Sequence, residues 1–497
     1  MGNIRRQSVT GTIIIYIGAL IGFVSTGLLL PKLFTTEQIG LVNILVAYAV
    51  IFAQFSSLGF NSATTRLFPY FRSKEKKHNG FLPLGLSINL VGFALGFSVF
   101  MAFSGFFTAQ KADSSPLVVE YIYYVVPLFL CLMLFSFFDT YAKVLYNATI
   151  GLFLKEFVLR ILVLADILLF VSGVIDFHQF ILGYIISYAV PIILLVSYLI
   201  HTGNFSLKPV FGFMDKKLRQ ELFRVSLYGI FAGFMGVLTL NVDRIMVERL
   251  VNLGATGVYA TCFFFGSVVA LPARSITKIS SAYLADAWKA NDTKTISTIY
   301  SKSCITQLIV GGLIFAGLVV NLDNIFIILG DSFSQGRWVI VFIGFAYLID
   351  MAAGVSANVL MTSTAYRYHT YILLFFLVLV VLSNVVFIPL YGIVGAALAS
   401  MISKLIHDGI RVGFIYKKFH FFPFNRNNLI TLLVMMGSIA LASFIPVFEN
   451  YLIDIFVRSS ILVMIYVLAV YFLNLSEDIN SRIDVYLRMA MKMLGRK

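Results

Sequence analysis

The sequence predicts an all-α polytopic membrane protein of about fourteen transmembrane helices: two pseudo-symmetric six-helix bundles followed by two C-terminal helices. Three observations carry this. Charge is scarce, with Asp, Glu, Lys and Arg making up 12% of 497 residues against 60% hydrophobic ones, and mean hydropathy is +0.93. A soluble domain devotes roughly a quarter of its residues to charge, so this chain cannot cover a water-facing surface. The apolar residues also come in blocks near the ~20 that cross a hydrocarbon core as a helix. Finally, basic residues alternate between successive loops.

The first six spans are read at roughly 10–30, 41–59, 82–104, 118–138, 157–173 and 180–200. The next six fall at roughly 225–242, 255–273, 304–321, 338–358, 371–389 and 392–412, and two more at roughly 429–446 and 456–473. With the N-terminus inside, the outer side receives only Lys32, Lys111, Arg244, Arg249, Arg337 and Arg458, leaving 31 of the 37 Lys and Arg inside. The positive-inside rule expects such an asymmetry. The net charge of +14 is therefore topological rather than a nucleic-acid footprint, and both termini are expected in the cytoplasm. The apolar run after Arg5 and Arg6 looks like a signal peptide but has full span length and no small-x-small cleavage site, which predicts an uncleaved first helix.

Outer loops are short, the longest running from about Leu322 to Arg337, too little for an extracytoplasmic catalytic domain. An internal repeat relates "PKLFTTEQIGLV" (Pro31–Val42) to "ERLVNLGATGVY" (Glu248–Tyr259); aligning Gly40 with Gly257 also aligns Lys32 with Arg249 and Leu33 with Leu250. Both copies run from outer loop into membrane, so the expected axis lies along the membrane normal, with a cleft between the bundles. The domains so read are an N-terminal bundle over 1–212, a C-terminal bundle over 213–420, extra helices over 421–473 and a basic tail over 474–497. In the tail, Ile479, Ile483, Tyr486, Ala490 and Met493 share one helical face, and Arg488, Lys492 and Arg496 another. That fits an amphipathic helix on an anionic inner leaflet, or a solvated tail.

The stretch "IPLYGIVGAALASMISKLIHDGIR" (Ile388–Arg411) joins small residues to charge. Gly392, Ala396, Ala399 and Ser403 share a helical face on which a neighbouring backbone can approach closely, with Pro389 ending the helix before and "PLYG" forming the turn. Lys404, His407, Asp408 and Arg411 follow at spacings that let Asp408 pair with both Lys404 and Arg411. The cluster is either a membrane-surface anchor or a cationic inner mouth for an anionic substrate. Asp166 in "LVLADILLF" and Asp350 in "GFAYLIDMAAG" lie inside spans, where a charge costs roughly 2.5–3.5 kcal/mol on insertion scales. Either could bind a coupling proton or sodium ion, or be a protonated or partnered structural carboxyl. In "LNVDRIMVERL", Arg244 and Glu248 stand one turn apart and could pair, while Asn241 and Asp243 point elsewhere. Arg66 and Arg274 end spans two and eight at equivalent inner positions and could grip a phosphate bidentately, or simply obey the positive-inside rule.

Signals for catalysis are missing. There is no Walker sequence, "GIVGAAL" lies inside a membrane hairpin rather than a dinucleotide loop, and the six His suggest no triad or metal constellation. Cys131, Cys262 and Cys304 are widely separated, with no metal or disulfide spacing. No enzyme, no catalytic residue and no cofactor is expected.

Three motifs carry a resemblance. "IPLYGIVGAALASMIS" resembles the P-x-Y/F-G-x-x-G-A-A turn of the multidrug/oligosaccharidyl-lipid/polysaccharide exporter superfamily. "NVDRIMVERLVNLGATGVYATC" is similar to that group's segment after span seven, with Val258-Tyr259 where many relatives have Gly-Leu-Tyr, and "LFTTEQIGLVNIL" is similar to its first-half counterpart. The likeness covers roughly residues 1 to 420. Fourteen spans resemble the polysaccharide transporter branch, the O-antigen (lipopolysaccharide) and capsule repeat-unit flippases. That resemblance implies a bacterial inner-membrane protein moving an undecaprenyl-diphosphate-linked oligosaccharide outward by alternating access. It implies no ATP hydrolysis, coupling to an ion gradient, contact with membrane lipids and a polysaccharide polymerase as partner. The substrate-binding candidates remain those of the physical reading: Arg66, Arg274, Lys404, Asp408, Arg411 and Arg244, with Asp166 and Asp350 as intramembrane acids. The rival reading is a cation-coupled multidrug exporter of the same superfamily.

Overall fold

The computed structural model describes residues 2–73, 75–108, 115–210 and 212–493, and its regular structure is helical throughout. The positions of Lys111 and Arg496 lie outside the described residues. Twelve helices among the described residues are long and apolar enough to cross a membrane. The helices depart from the expected spans in two places. The fifth span runs through Ala148–Phe153, a π-helical turn at Leu154–Val158 and Leu159–Val171, and is not among the twelve. Spans eleven and twelve share one helical run, Tyr366–Phe419.

Packing divides the chain into two compact units, Met1–Ala260 and Thr261–Lys497. In the first, α1 (Gly2–Gly22) continues through a π turn at Phe23–Leu29, and α2 spans Thr36–Ser56. There follow α3 (Phe60–Phe71), α4 (Phe81–Thr108), α5 (Val125–Val144), α6 (Leu159–Val171), α7 (Phe177–His201) and α8 (Lys216–Leu250). The sequence "TTEQ" starts α2 with a capping box: Gln38 N–H donates to Thr35 Oγ1 at 3.2 Å, and Thr35 N–H to Gln38 Oε1 at 3.0 Å. α2 stops where Leu58 and Gly59 turn left-handed, so Arg66 sits on a separate helix rather than on the last turn of span two. Gly59 also lets α3 approach α8, since a Cβ there would stand 2.6 Å from the Ile230 nitrogen. Aromatic side chains fill the core at this end of the unit: Phe60, Phe68, Phe71, Phe81, Phe137 and Tyr141 are all buried, with Phe68 edge-on to Tyr141 at 5.5 Å.

α9 (Leu253–Ser267) leads into the second unit, followed by α10 (Leu271–Lys289), α11 (Thr293–Val320) and α12 (Arg337–Ala352). α13 is the 54-residue run Tyr366–Phe419, and α14 (Arg426–Ser443), α15 (Tyr451–Phe472) and α16 (Glu477–Met493) complete the chain. Leu308, Phe315, Leu348, Met435 and Leu462 form one core, so the two C-terminal spans pack on α11. The Tyr466 hydroxyl donates to the Ile309 carbonyl at 3.0 Å, a bond that Gly312 leaves room for. The tail helix is tied down at its start, where the Lys302 ammonium meets Asp478 at 3.0 Å.

α13 is a hairpin. Helical geometry runs through Pro389 to Tyr391, so the proline does not end the helix; Gly392, at φ 58° and ψ −136°, makes the reversal. Ser403 Oγ then donates to Ser383 Oγ at 3.2 Å, and Gly395 packs so closely on the Phe387 carbonyl that a Cβ could not fit. The small face expected from the sequence is the packed face: Ala396, Ala399 and Ser403 have no exposure.

Candidate functional site

At the charged end of the α13 hairpin, His407, Asp408 and Arg411 are buried inside the second unit, their side chains 3–6% exposed, so these three contact protein. They join Asp350, which α12 delivers two residues before its end. That end is set by Gly354, whose positive φ of 59° turns the chain against Ser303; Ser303 Oγ accepts the Val355 N–H at 3.1 Å.

The ion pairs form a chain across the two helices. Lys404 Nζ stands 3.4 Å from Asp350 Oδ2, and Arg411 Nη2 lies 3.2 Å from Asp350 Oδ1. The same Arg411 nitrogen lies 2.9 Å from Asp408 Oδ1, which the His407 Nδ1 also reaches at 2.8 Å. The Lys404 ammonium sits 5.3 Å from the Tyr347 ring centroid, and the His407 ring packs 4.4 Å from that of Phe376. Lys404 is thus paired with Asp350 rather than with Asp408 one turn away, and Asp350 is a bridged carboxylate rather than a lone mid-membrane acid.

Two carboxylates balance two cations, which is what burial demands: breaking such a pair strands a charge in low dielectric. The network is graded, with Asp350 37% and Lys404 20% exposed while the other members are closed off. His407 Nε2, Asp408 Oδ2 and Arg411 Nε are buried with no hydrogen-bond partner among the described residues. The network thus has one accessible end, at Lys404 and Asp350, and unfilled bonds at its buried end.

Asp166 stands apart, in the first unit. Ser187 Oγ donates to its Oδ2 at 2.6 Å, and Gly183 makes room for the carboxylate. The Tyr184 and Tyr188 hydroxyls lie 3.3 Å from each other on the same helix as Ser187. Arg66 is 65% exposed and 3.7 Å from Glu221 on α8. Arg274 is exposed on α10. Arg244 is half-buried on α8. Asn241, Asp243 and Glu248, by contrast, are buried, and the Tyr259 hydroxyl donates to Asp243 at 3.0 Å. Asp243 therefore belongs to the packing of the unit, not to an outward face.

Two features escaped the sequence reading. Arg160, at the start of α6, pairs with Glu156 of the π-helical turn at 2.8 Å, where Gly18 and Gly22 of α1 press on them closely. Their spacing of one helical turn was available as a signal. The link from Asp350 to Lys404 and Arg411 was not, because it crosses more than fifty residues of chain.

The sequence profile of the family described as "Polysaccharide biosynthesis protein" matches residues 5–278. A capsular polysaccharide biosynthesis protein, CapF of Staphylococcus aureus, is 22% identical over 194 residues, 38% of this chain; the match spans about half, 48%, of that relative's length. Among solved structures, the lipid II flippase MurJ in an inward closed conformation matches with a TM-score of 0.75 at 13% identity, covering 94% of this chain and 98% of that one. An inward-facing multidrug resistance transporter of the MATE family gives 0.62 at 12% identity, over 83% of this chain and 98% of its own. At these identities the structures speak for the fold: it is that of transporters and flippases.

Proposed function

This chain belongs to the polysaccharide biosynthesis protein family, and from that premise we propose that it is a flippase for lipid-linked oligosaccharide. Its cargo is a polysaccharide repeat unit on undecaprenyl diphosphate, moved from the cytoplasmic to the outer leaflet of the bacterial inner membrane by alternating access. It is a transporter and not an enzyme. The observation that carries the reading is the family match over residues 5–278 in a multi-pass membrane chain.

The charge network supplies a physical means. A diphosphate carries more charge than the Asp350 carboxylate it meets at Lys404, and it exchanges for that carboxylate while Asp408 keeps Arg411 neutralised. Asp350, giving up Lys404, then holds α12 to the α13 hairpin through Arg411 alone, so arrival of the anion loosens one helix contact. Arg66, Arg274 and Arg244 are further cations for the diphosphate. Asp166 and Asp350 are the acids through which a proton or sodium gradient drives return. Both termini face the cytoplasm, and a polymerase receives the exported unit.

Deletion of the gene, followed by extraction of lipid-linked glycans and staining of surface polysaccharide, tests this. The expected result is complete repeat units accumulating on the carrier in the inner leaflet, with surface glycan lost. Normal surface glycan together with new sensitivity to cationic dyes overturns it in favour of a drug exporter.

A further inference from the structure

Away from the charge network, the stretch "TKTISTIYSK" (Thr293–Lys302) opens α11 with polar residues at helical spacing, and Lys294, Ser297, Ser301 and Lys302 fall on one face. The end of α13 stands across from that face. His420 sets this end: its φ of 59° turns the chain left-handed while its N–H still reaches the Tyr416 carbonyl at 2.8 Å. Between the two lies an open groove of about 530 Å³, lined by those α11 residues and by Phe419, His420 and Phe421. Trp288 of α10 backs the phenylalanines, its ring centroid 4.9 Å from that of Phe419.

The groove offers ammonium, hydroxyl and imidazole groups on an aromatic backing, and no carboxylate lines it. The side chains of Lys294, Ser297, Ser301 and His420 make no hydrogen bond or ion pair among the described residues. Lys302 holds Asp478 of α16 at 3.0 Å, which uses one of its three donors. Such a set repels a cation and suits an anion with several oxygens, above all a phosphate.

The position of the groove selects what carries that phosphate. From Ser303 to Val320 α11 has no charge, a run of about 27 Å at 1.5 Å per residue, close to the ~30 Å of a hydrocarbon core. Lys302 therefore marks the membrane edge, and the groove begins in the headgroup layer and extends outward from it. Tyr416 and Phe422, on either side of His420 in the chain, are 53% and 58% exposed, as aromatic side chains of the interface are. With the termini inside, this is the leaflet with the negative surface. An open groove holds a free phosphate weakly, whereas a headgroup tethered by its acyl chains is presented at high local concentration.

We propose that this groove is a seat for the phosphate-bearing headgroup of an anionic phospholipid, with Lys294, Lys302 and the Ser297 and Ser301 hydroxyls on its oxygens. The choice of leaflet rests on the topology given above; the seat itself is independent of the cargo and needs only that the chain spans a membrane. It also gives the start of the basic tail helix a lipid neighbour, since Lys302 holds both.

The test titrates the full-length protein in neutral detergent with phosphatidylglycerol, phosphatidylcholine or water-soluble glycerol 3-phosphate, and counts bound molecules by native mass spectrometry. The first phosphatidylglycerol should bind about tenfold more tightly than the first phosphatidylcholine. That preference should be lost in Lys294→Glu, which reverses a charge, and in Ser297→Leu, which fills the groove with carbon, at an unchanged melting midpoint. It should survive the combination of Lys417→Ala and Lys418→Ala, neighbouring cations outside the groove. No preference for the anionic lipid, or a preference that either groove variant retains in full, overturns the seat. Equal loss in the Lys417 and Lys418 variant also overturns it, in favour of a diffuse basic surface. Glycerol 3-phosphate binding as tightly as the lipid overturns it in favour of a soluble phosphate.

Discussion

Gly40 and Gly257 fit into each other's backbone. A Cβ on Gly40 would strike the Leu253 carbonyl oxygen and lie 3.2 Å from the Gly257 nitrogen; a Cβ on Gly257 would strike the Thr36 carbonyl oxygen and lie 3.0 Å from the Gly40 nitrogen. The contact is reciprocal down to the residue four places before each glycine. It is the signature of a two-fold relation, and it falls on the two residues that the sequence repeat aligns. Helices in lipid associate through such close backbone approach.

Gly40→Leu and Gly257→Leu should each destabilise the protein by about 1–3 kcal/mol, the usual cost of overpacking, because the obstructing atoms are backbone. Gly413→Ala should be neutral or stabilising, since a Cβ there meets nothing within 4 Å and alanine suits a helix better. Melting midpoints of the purified variants decide it; an unaltered Gly40→Leu would contradict the contact.

Within the charge network, Arg411 should matter more than Lys404. Arg411→Ala strands the buried Asp408 carboxylate and takes one of two cations from Asp350, and should cost about 3–5 kcal/mol. Lys404→Ala should cost about 1 kcal/mol or less, because Lys404 and Asp350 are partly exposed and screened. A double-mutant cycle between Asp350 and Arg411 measures their coupling directly. Equal losses for the two cations would mean that the network is not graded.

If Asp166 is the coupling acid, export by Asp166→Asn should no longer respond to collapse of the proton or sodium gradient, while Ser187→Ala retains the response. A wild-type response in Asp166→Asn would move the coupling to Asp350. Transport of labelled lipid-linked glycan into inverted vesicles gives the reading.

Glycan export should fall when Arg66→Ala and Arg274→Ala are combined, at matched protein levels. Unchanged surface glycan would show that the cargo does not use these arginines.

Asp292 caps α11 from outside the membrane-spanning segments. It accepts from Thr295 Oγ1 at 2.6 Å and from the Thr295 N–H at 3.0 Å, and these bonds hold its pKa below the ordinary carboxylate range. A depressed folded pKa contributes stability that is complete above the unfolded value of ~3.9 and is lost as pH falls from there through the folded value. Amide exchange at Thr295 and Ile296, corrected for its intrinsic pH dependence, should therefore accelerate only on acidification below that point. Asp292→Ala should accelerate it already at neutral pH.

The sequence by itself determined the helical membrane class, the repeat and the small-residue hairpin face, because each is written in local spacing: ~20-residue apolar blocks, aligned glycines, small residues one helical turn apart. It also located Asp350 and the Lys404–Arg411 cluster as separate oddities. Only the tertiary structure decided that they are one object, since Asp350 reaches Arg411 across a turn made by Gly392 and a helix end made by Gly354. Spacing along one helix is a local property that a sequence displays. Which buried charge meets which depends on how backbones approach, and that is settled by packing.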